Sequence, residues 1–550
     1  MINGKTVTAL IQARVSSARM PKKHFRKIGD RSVIEWILWR LSHIPGIDQV
    51  VISTTLEPGS DLYAQYQSRH QYEVFQHNGD VNDVVGRHIQ AVTKYPSDYY
   101  LYISGDCPLV DEGFIQDLFT ALLEQSPSLV IGEQSIHEGT SLLSRECMKY
   151  IDCNSITPDQ RENFGYMIDY KGYDVVVVKV PAKLSTKLCR ISVDNMADLR
   201  FMNHLESICR HKNIEFNLEN SVDIIIENQA ILRLHEHVKQ KDVSHVTKRF
   251  VFLTEASQDV GLGHLSRMIA LAQELNEAYH HNINFLVNDD AIAKEKLVNE
   301  GYIFDYHTYQ PDNLSAMLTS FNCTAVIVDL KDHNKFNDIL HALNKEVIYY
   351  DRIEVPSFQN VLILQGIHPL LVPSPECRLY SGLGTVFINK KLEFEIKAKH
   401  KKHGIYISFG ASDPDQWLAK ALAVLPDDQP IFVKKGIYSN YTIENSRKNI
   451  ILVSEEDNYK YVSSCEYGLC AYGVTFYELL LSGAKVFCTA RTQADNDLLG
   501  YLETQNYCRR FSLIEEIADL YDIERLPALD LYDLYVQERE AFIKSLLSLV

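Results

Sequence analysis

Four cations fall within ten residues of one stretch, ALIQARVSSARMPKK: Arg14, Arg19, Lys22 and Lys23, with the hydroxyls of Ser16 and Ser17 among them. Guanidinium forks and ammonium groups both bind phosphate, so the chemistry on offer is capture of an anionic ligand. A solvated basic turn is the bland alternative. Two carboxylates come next, Asp106 in Ser104-Gly105-Asp106-Cys107-Pro108 and Asp194 in RISVDNMADL. A carboxylate at the mouth of a sheet can bridge a hard cation to phosphate oxygens. Each could equally serve its own backbone, Asp106 by fixing a turn and Asp194 by capping a helix. The third group lies in TEASQDVGLGHLSR, Thr254–Arg267, where Gly261 and Gly263 permit a tight turn before His264 and Arg267. Amides at a helix start favour an anion and histidine exchanges a proton near neutral pH, although an isolated histidine is more often structural.

The elements that must position these residues alternate between strand and helix. Val7–Ile11 is short, apolar and β-branched, and predicts a buried strand whose exit loop carries the cations. Helices are predicted over Val33–Leu41, Asn82–Thr93 (capped by Asp80 or Asn82) and Phe114–Leu123. Strands are predicted over Val50–Thr54, Tyr99–Ile103 and Ser128–Ile131, which makes a mostly parallel sheet. Val222–Lys241 reads as one more helix, and a boundary near residue 245 precedes a new strand at Phe250–Leu253. Further strands end at Asp329, at Asp351, before Gly410-Ala411-Ser412-Asp413-Pro414 and before Gly473-Val474-Thr475-Phe476-Tyr477-Glu478. Two βα blocks, about 250–385 and 400–540, predict two facing sheets with a cleft between them.

Composition narrows the ligand. At 550 residues the chain needs several cores, and its 46% hydrophobic and 23% charged content is that of a globular protein. A net charge of −17 argues against nucleic-acid binding, so the basic loop suits a small anionic substrate. No apolar run reaches the ~20 residues that span a bilayer, and the first residues lack a secretory h-region. Eleven scattered cysteines, an odd number with no CxxC pair, point to reduced thiols and a cytoplasmic location.

The first half is similar to the nucleotide-sugar cytidylyltransferases, in the branch of the CMP-3-deoxy-manno-octulosonate synthetases and spore-coat polysaccharide cytidylyltransferase-like proteins. Gln12, Ala13, Arg14, Ser17, Arg19, Pro21 and Lys23 fall on that family's first signature, with Lys22 in place of its glycine. Asn82–Arg87 resembles the D-V-L-x-R helix, Gly105-Asp106-Cys107-Pro108 the G-D-x-P turn, Arg161-Glu162-Asn163 the R-E-H/N segment, and Val193–Leu199 the V-D-x-x-x-D-L run. The resemblance implies a Rossmann-like, GT-A-like α/β domain over 1–245 that binds CTP and an acidic sugar. Ala13, Arg14, Ser17, Arg19 and Lys23 would hold the nucleotide, Arg14 and Lys23 acting catalytically. Asp106 and Asp194 would carry Mg²⁺.

The second half resembles the UDP-sugar hydrolases of pseudaminic-acid biosynthesis, which have the two-lobed GT-B fold. Ala256, Ser257, Val260, Gly261, Gly263, His264 and Arg267 match its first motif, Ser408–Pro414 its S-F-G-G-S-D-P, and Gly473, Thr475 and Glu478 its G-x-T-x-x-E. The resemblance implies lobes over 246–395 and 396–550, with His264 as general base toward a UDP-amino-sugar. Gly263, Gly410, Ser412, Thr475 and Glu478 would bind the nucleotide. The family's D-x-Y reads Asp329-Leu330-Lys331 here, and its late Asn-Gln reads Thr492-Gln493. The whole is expected to be a bifunctional enzyme of nonulosonic-acid glycans, with a homodimer as candidate assembly. A glycosyltransferase second half, or a nucleotide-sugar-binding protein without turnover, are the rival expectations.

Overall fold

The computed structural model describes the chain apart from residues 18–19, 134, 138, 166–167, 186–188, 236, 239–246, 308–310, 333–335, 344, 352–360, 370–376, 414–415, 426, 440–446, 456, 513–515 and 517–526. It divides into two units, Met1–Val238 and Lys239–Val550. Among the described residues no helix is long and apolar enough to cross a membrane.

In the first unit, seven strands form one sheet: β1 (Val7–Gln12), β2 (Gln49–Thr55), β3 (Glu73–His77), β4 (Tyr99–Ser104), β5 (Leu129–Gly132), β6 (Thr140–Ser144) and β7 (Val175–Val178), in the order β3-β2-β1-β4-β6-β5-β7. β1 is central and parallel to both neighbours, and Gln12 lies opposite Ser53 on one side and Ser104 on the other. Only β6 runs antiparallel to its partners. Val7, Ala9 and Ile11 feed one apolar layer and Leu10 the other, which is why this strand is apolar on both faces with Thr8 as its one interior polar residue. The loops leaving β1 and β4 therefore open side by side at one edge of the sheet, where ligands of open α/β sheets bind.

Two helices bring in the remaining candidates, α1 (Val84–Lys94) and α2 (Met196–Lys212). α1 is capped by Asp83, not by Asp80 or Asn82: its carboxylate accepts from the Gly86 amide at 2.9 Å. Asp80 instead accepts from the Asn82 amide, and the Asn82 side chain is used by Arg14. The single helix expected over Val222–Lys241 is broken. An α-helix spans Leu218–Glu227, and a 3₁₀ turn, Gln229–Leu234, starts afresh after Asn228, whose side chain accepts from the Ala230 amide.

The second unit holds two parallel sheets. The first contains β8 (Arg249–Thr254), β9 (Asn282–Val287), β10 (Ile303–Tyr306), β11 (Ala325–Asp329), β12 (Glu346–Tyr350), β13 (Val361–Ile363) and β14 (Arg378–Tyr380), ordered β10-β9-β8-β11-β12-β13-β14. The second contains β15 (Ile405–Ser408), β16 (Ile431–Val433), β17 (Ile450–Leu452), β18 (Tyr467–Ala471), β19 (Lys485–Thr489) and β20 (Arg509–Arg510), ordered β17-β16-β15-β18-β19-β20. Helix α3 (Gly263–Gln273) follows the central β8, and α4 (Val474–Leu481) follows β18. This is the two-lobed GT-B arrangement.

The last helix, α5 (Tyr532–Leu549), ties the lobes together. Its Tyr532 and Tyr535 pack in the core of the second sheet, whereas Phe542, Ile543 and Leu546 pack in the core of the first. Where it crosses, four buried charges balance two against two. Lys390 bonds Glu274 and Glu393, and Arg539 bonds Glu393 at 2.6 Å. Such a group is costly to desolvate but binding once satisfied.

Candidate active sites

The first site lies at the C-terminal ends of β1 and β4. Gly105 turns the chain so tightly, its N–H donating to the Gln12 carbonyl at 2.8 Å, that a Cβ there would sit 2.3 Å from that oxygen. Asp106 is thereby placed at the sheet mouth, with Ser104 donating to its Oδ1 at 2.6 Å. Val193 donates its amide to the Asp106 carbonyl, which brings Asp194 alongside. Lys23 then reaches both: Nζ is 2.6 Å from Asp106 Oδ2 and 2.9 Å from Asp194 Oδ1. Burial opposes ionisation of Asp106, but Lys23 and the hydrogen bonds outweigh it and hold its carboxyl below the usual range.

Side chains behind these fix them. Lys22, at the family's glycine position, has φ of 55°, so the left-handed backbone that glycine would supply is kept by a lysine. Glu57 accepts the Val15 and Ser16 amides and the Thr55 hydroxyl, which shapes the loop after β1. His24 is buried against the Tyr63 hydroxyl at 2.8 Å, and burial followed by repulsion from Lys23 pushes it down to about 3, so it stays neutral. Asp198 holds the Asp194 and Asn195 amides while Arg190 bridges Asp194 and Asp198. Asp83 and Arg161 form a bidentate pair at 2.7 and 3.0 Å, which joins two motifs and sets Glu162 near Arg14. The enclosed space is about 280 Å³.

Two carboxylates with a shared cation between them suit Mg²⁺, which takes one or two carboxylates and completes its shell with water and phosphate oxygens. Among the described residues there is no cluster of three or more metal-binding side chains, so an all-protein cage is not what this site offers. Asp106 and Asp194 would hold the ion.

The second site lies in the cleft of the second unit, about 330 Å³ in volume. His264 stands one residue inside α3, and its Nδ1 lies 2.6 Å from Asp329 Oδ1 at the end of β11. Arg267, one turn on, grips both oxygens of Asp329 at 2.6 and 2.7 Å and reaches Asp351 and Gln365. Burial raises the cost of the Asp329 charge, yet Arg267 and His264 hold its carboxyl well below the usual range. Asp329 is therefore ionised and accepts the Nδ1 proton, which leaves His264 Nε2 as the basic atom for the cleft. Across the cleft, Glu478 on α4 is buried, and desolvation pushes it up to about 7 against the pull of Lys296. Arg491 donates to the carbonyls of Phe409 and Ser412 and so holds the Gly410 turn, where φ is 85°.

Residues 8–227 match the cytidylyltransferase family. That match lies within the first unit and carries its whole site. An uncharacterized protein of Methanocaldococcus jannaschii, MJ1063, is 24% identical over 243 residues, 44% of this chain and 98% of the relative. Among solved structures, a cytidylyltransferase from Leptospira borgpetersenii aligns at 21% identity over 44% of this chain and 100% of its own, with a TM-score of 0.37. Acinetobacter baumannii MurG aligns at 14% identity over 53% of this chain and 95% of its own, again with a TM-score of 0.37.

Within the first unit, Ala13, Arg14, Lys23, Asp106 and Asp194 line one cavity. Ser17 does not; its hydroxyl accepts from the Met20 amide and serves the turn. Arg19 lies outside the described residues. In the second unit His264, Gly263, Gly410, Thr475 and Glu478 line the cleft. Ser412 is buried, with its hydroxyl on the Gly261 side, 3.9 Å from where a Cβ on that glycine would sit, and Gly410 and Ala411 are the residues of its turn that line the cleft. Sequence reading missed His24, Glu57 and the Asp329–Arg267 support of His264. Asp329 carried one signal, a carboxylate at a strand end; His24 and Glu57 carried none.

Proposed function

We propose that the chain is a two-activity nucleotide-sugar enzyme for surface-glycan sugars. In the first unit, a hydroxyl of an acidic sugar, a nonulosonic acid of the pseudaminic or legionaminic kind, attacks the α-phosphorus of CTP. A P–O bond to the sugar forms, the α–β bridge breaks, pyrophosphate leaves and the hydroxyl proton passes to solvent water. Arg14 and Lys23 bind the phosphate chain and offset its charge. Asp106 and Asp194 orient Lys23 and would hold Mg²⁺, which when bound supplies neutralising charge to the phosphates. The observation that supports this most is the junction of Lys23 with both carboxylates, three positions far apart in sequence.

In the second unit the reading is cleavage of a UDP-amino-sugar. His264 Nε2 takes a proton from the attacking hydroxyl, a C–O bond forms at the anomeric carbon and UDP departs. Glu478 accepts from the ribose hydroxyls. Water is the proposed nucleophile; transfer to a sugar or lipid-linked hydroxyl is the competing outcome. Incubation with UDP-N-acetylhexosamines, with and without an added hydroxyl acceptor, decides between them by whether free sugar or a glycoside accumulates with UDP.

A further inference from the structure

Arg87 is the bulkiest fully buried side chain among the described residues, 1% exposed, and it lines the cavity of the first unit. None of its three guanidinium nitrogens has a hydrogen-bond partner. The carboxylates around it are engaged elsewhere. Asp83, on the same helix, is held by Arg161 and Gly86; Glu57 by Val15, Ser16 and Thr55; Asp106 by Lys23 and Ser104. Burial, followed by repulsion from Arg14, pushes Arg87 down to about 10, with Tyr102, Tyr63 and Glu57 acting the other way. It remains cationic at neutral pH.

A buried guanidinium that donates no hydrogen bond costs stability and is kept only where something repays it. Arg14 and Arg87 repel one another across a space open to ligand, and an anion between them would turn that repulsion into two attractions. We propose that Arg87, together with Arg14, forms an oxyanion subsite in the wall of this cavity and binds a charged oxygen group of the substrate pair. The subsite itself stands on the unpaired guanidinium; the identity of the oxyanion rests on the nucleotidyl-transfer reading. The source is a phosphate of the nucleotide, or the carboxylate of the sugar acid, which offers the same chemistry.

The test uses the full chain with Arg87→Met, Arg87→Gln and Arg87→Lys, measured for thermal unfolding without ligand and for binding of tripolyphosphate, CTP, cytidine and a 3-deoxy-2-ulosonic acid. The expected result is that Met or Gln raises the unfolding temperature while weakening anion binding at least tenfold, with Lys retaining part of it and cytidine unaffected. Loss shared by tripolyphosphate and CTP assigns the phosphate; loss confined to the sugar acid assigns the carboxylate. The subsite is overturned if Met and Gln both lower stability or fail to fold, which makes the guanidinium structural. It is also overturned if cytidine loses as much as CTP, which makes Arg87 a base contact, or if the wild type binds none of these anions. Wild-type binding of tripolyphosphate without turnover of CTP by any acid would sink nucleotidyl transfer and leave the subsite standing.

Discussion

His264 and Asp329 meet through an Nδ1–Oδ1 contact of 2.6 Å, and the same carboxylate is gripped from its other side by Arg267. The aspartate thus sets the tautomer of the histidine and stays ionised throughout the working pH range, so it contributes no limb to a pH–rate profile. Replacing His264 by Ala should lower UDP-sugar turnover about a hundred- to ten-thousand-fold, the usual worth of a positioned base, with UDP binding retained. Asp329→Asn should lose turnover and also stability, because buried Arg267 is left with Asp351 as its one remaining carboxylate partner among the described residues. Steady-state kinetics beside UDP calorimetry checks both.

Glu478 should make the second unit pH-sensitive. Its carboxyl is raised by burial from 4.5 to about 7. A raised carboxyl contributes stability that is complete below the unfolded value near 4.5 and is lost as pH rises through 7. The full effect is about 3 kcal/mol. Glu478→Gln should flatten the dependence of unfolding temperature on pH between 4.5 and 8, and should weaken UDP because one strong acceptor is gone. An unchanged slope in the variant would show that other groups set it.

Gly105→Ala should damage the first site without touching a charged group. The added Cβ meets the Gln12 carbonyl, which belongs to the central strand and cannot step aside as a side chain could. A cost of about 1–3 kcal/mol is expected, with Asp106 displaced from Lys23 and nucleotidyl transfer lost. Chemical denaturation and pyrophosphate release measure the two effects separately.

The buried quartet at the lobe crossing should be intolerant of single losses. Glu393→Gln leaves Lys390 and Arg539 short of one carboxylate, and about 3–5 kcal/mol of stability should go with it. Replacing Glu393 and Arg539 together by Met should cost less than the sum, which a double-mutant cycle reads directly.

Alternation of apolar strands with helices was enough to find the central strands, because a strand covered on both faces, such as Val7–Gln12, is mostly apolar, whereas Glu73–His77, Thr140–Ser144 and Val175–Val178 were not read as strands. Asp106, directly after a strand and a glycine, was legible too, as was His264, in the first turn of the helix that follows Gly261 and Gly263. What composition and spacing cannot carry is partnership. Nothing adjacent to His24 marks it as buried against Tyr63, 39 positions away. The Asp83–Arg161 pair spans 78 positions, and only the fold shows that it joins two motifs. Ser17 was placed at the nucleotide by the motif it falls on, and its hydroxyl accepts from the Met20 amide, since short hydroxyl side chains readily serve their own turns. Asn228 broke an apparent helix because a side chain that can cap a new turn competes with helix continuation.

The most direct measurement is release of pyrophosphate from CTP and Mg²⁺ with a panel of 3-deoxy-2-ulosonic acids, wild type against Asp106→Asn. Release with at least one acid, abolished by the substitution while the unfolding temperature is kept, is the predicted result. No release with any acid, or release that Asp106→Asn leaves intact, would contradict nucleotidyl transfer at this site.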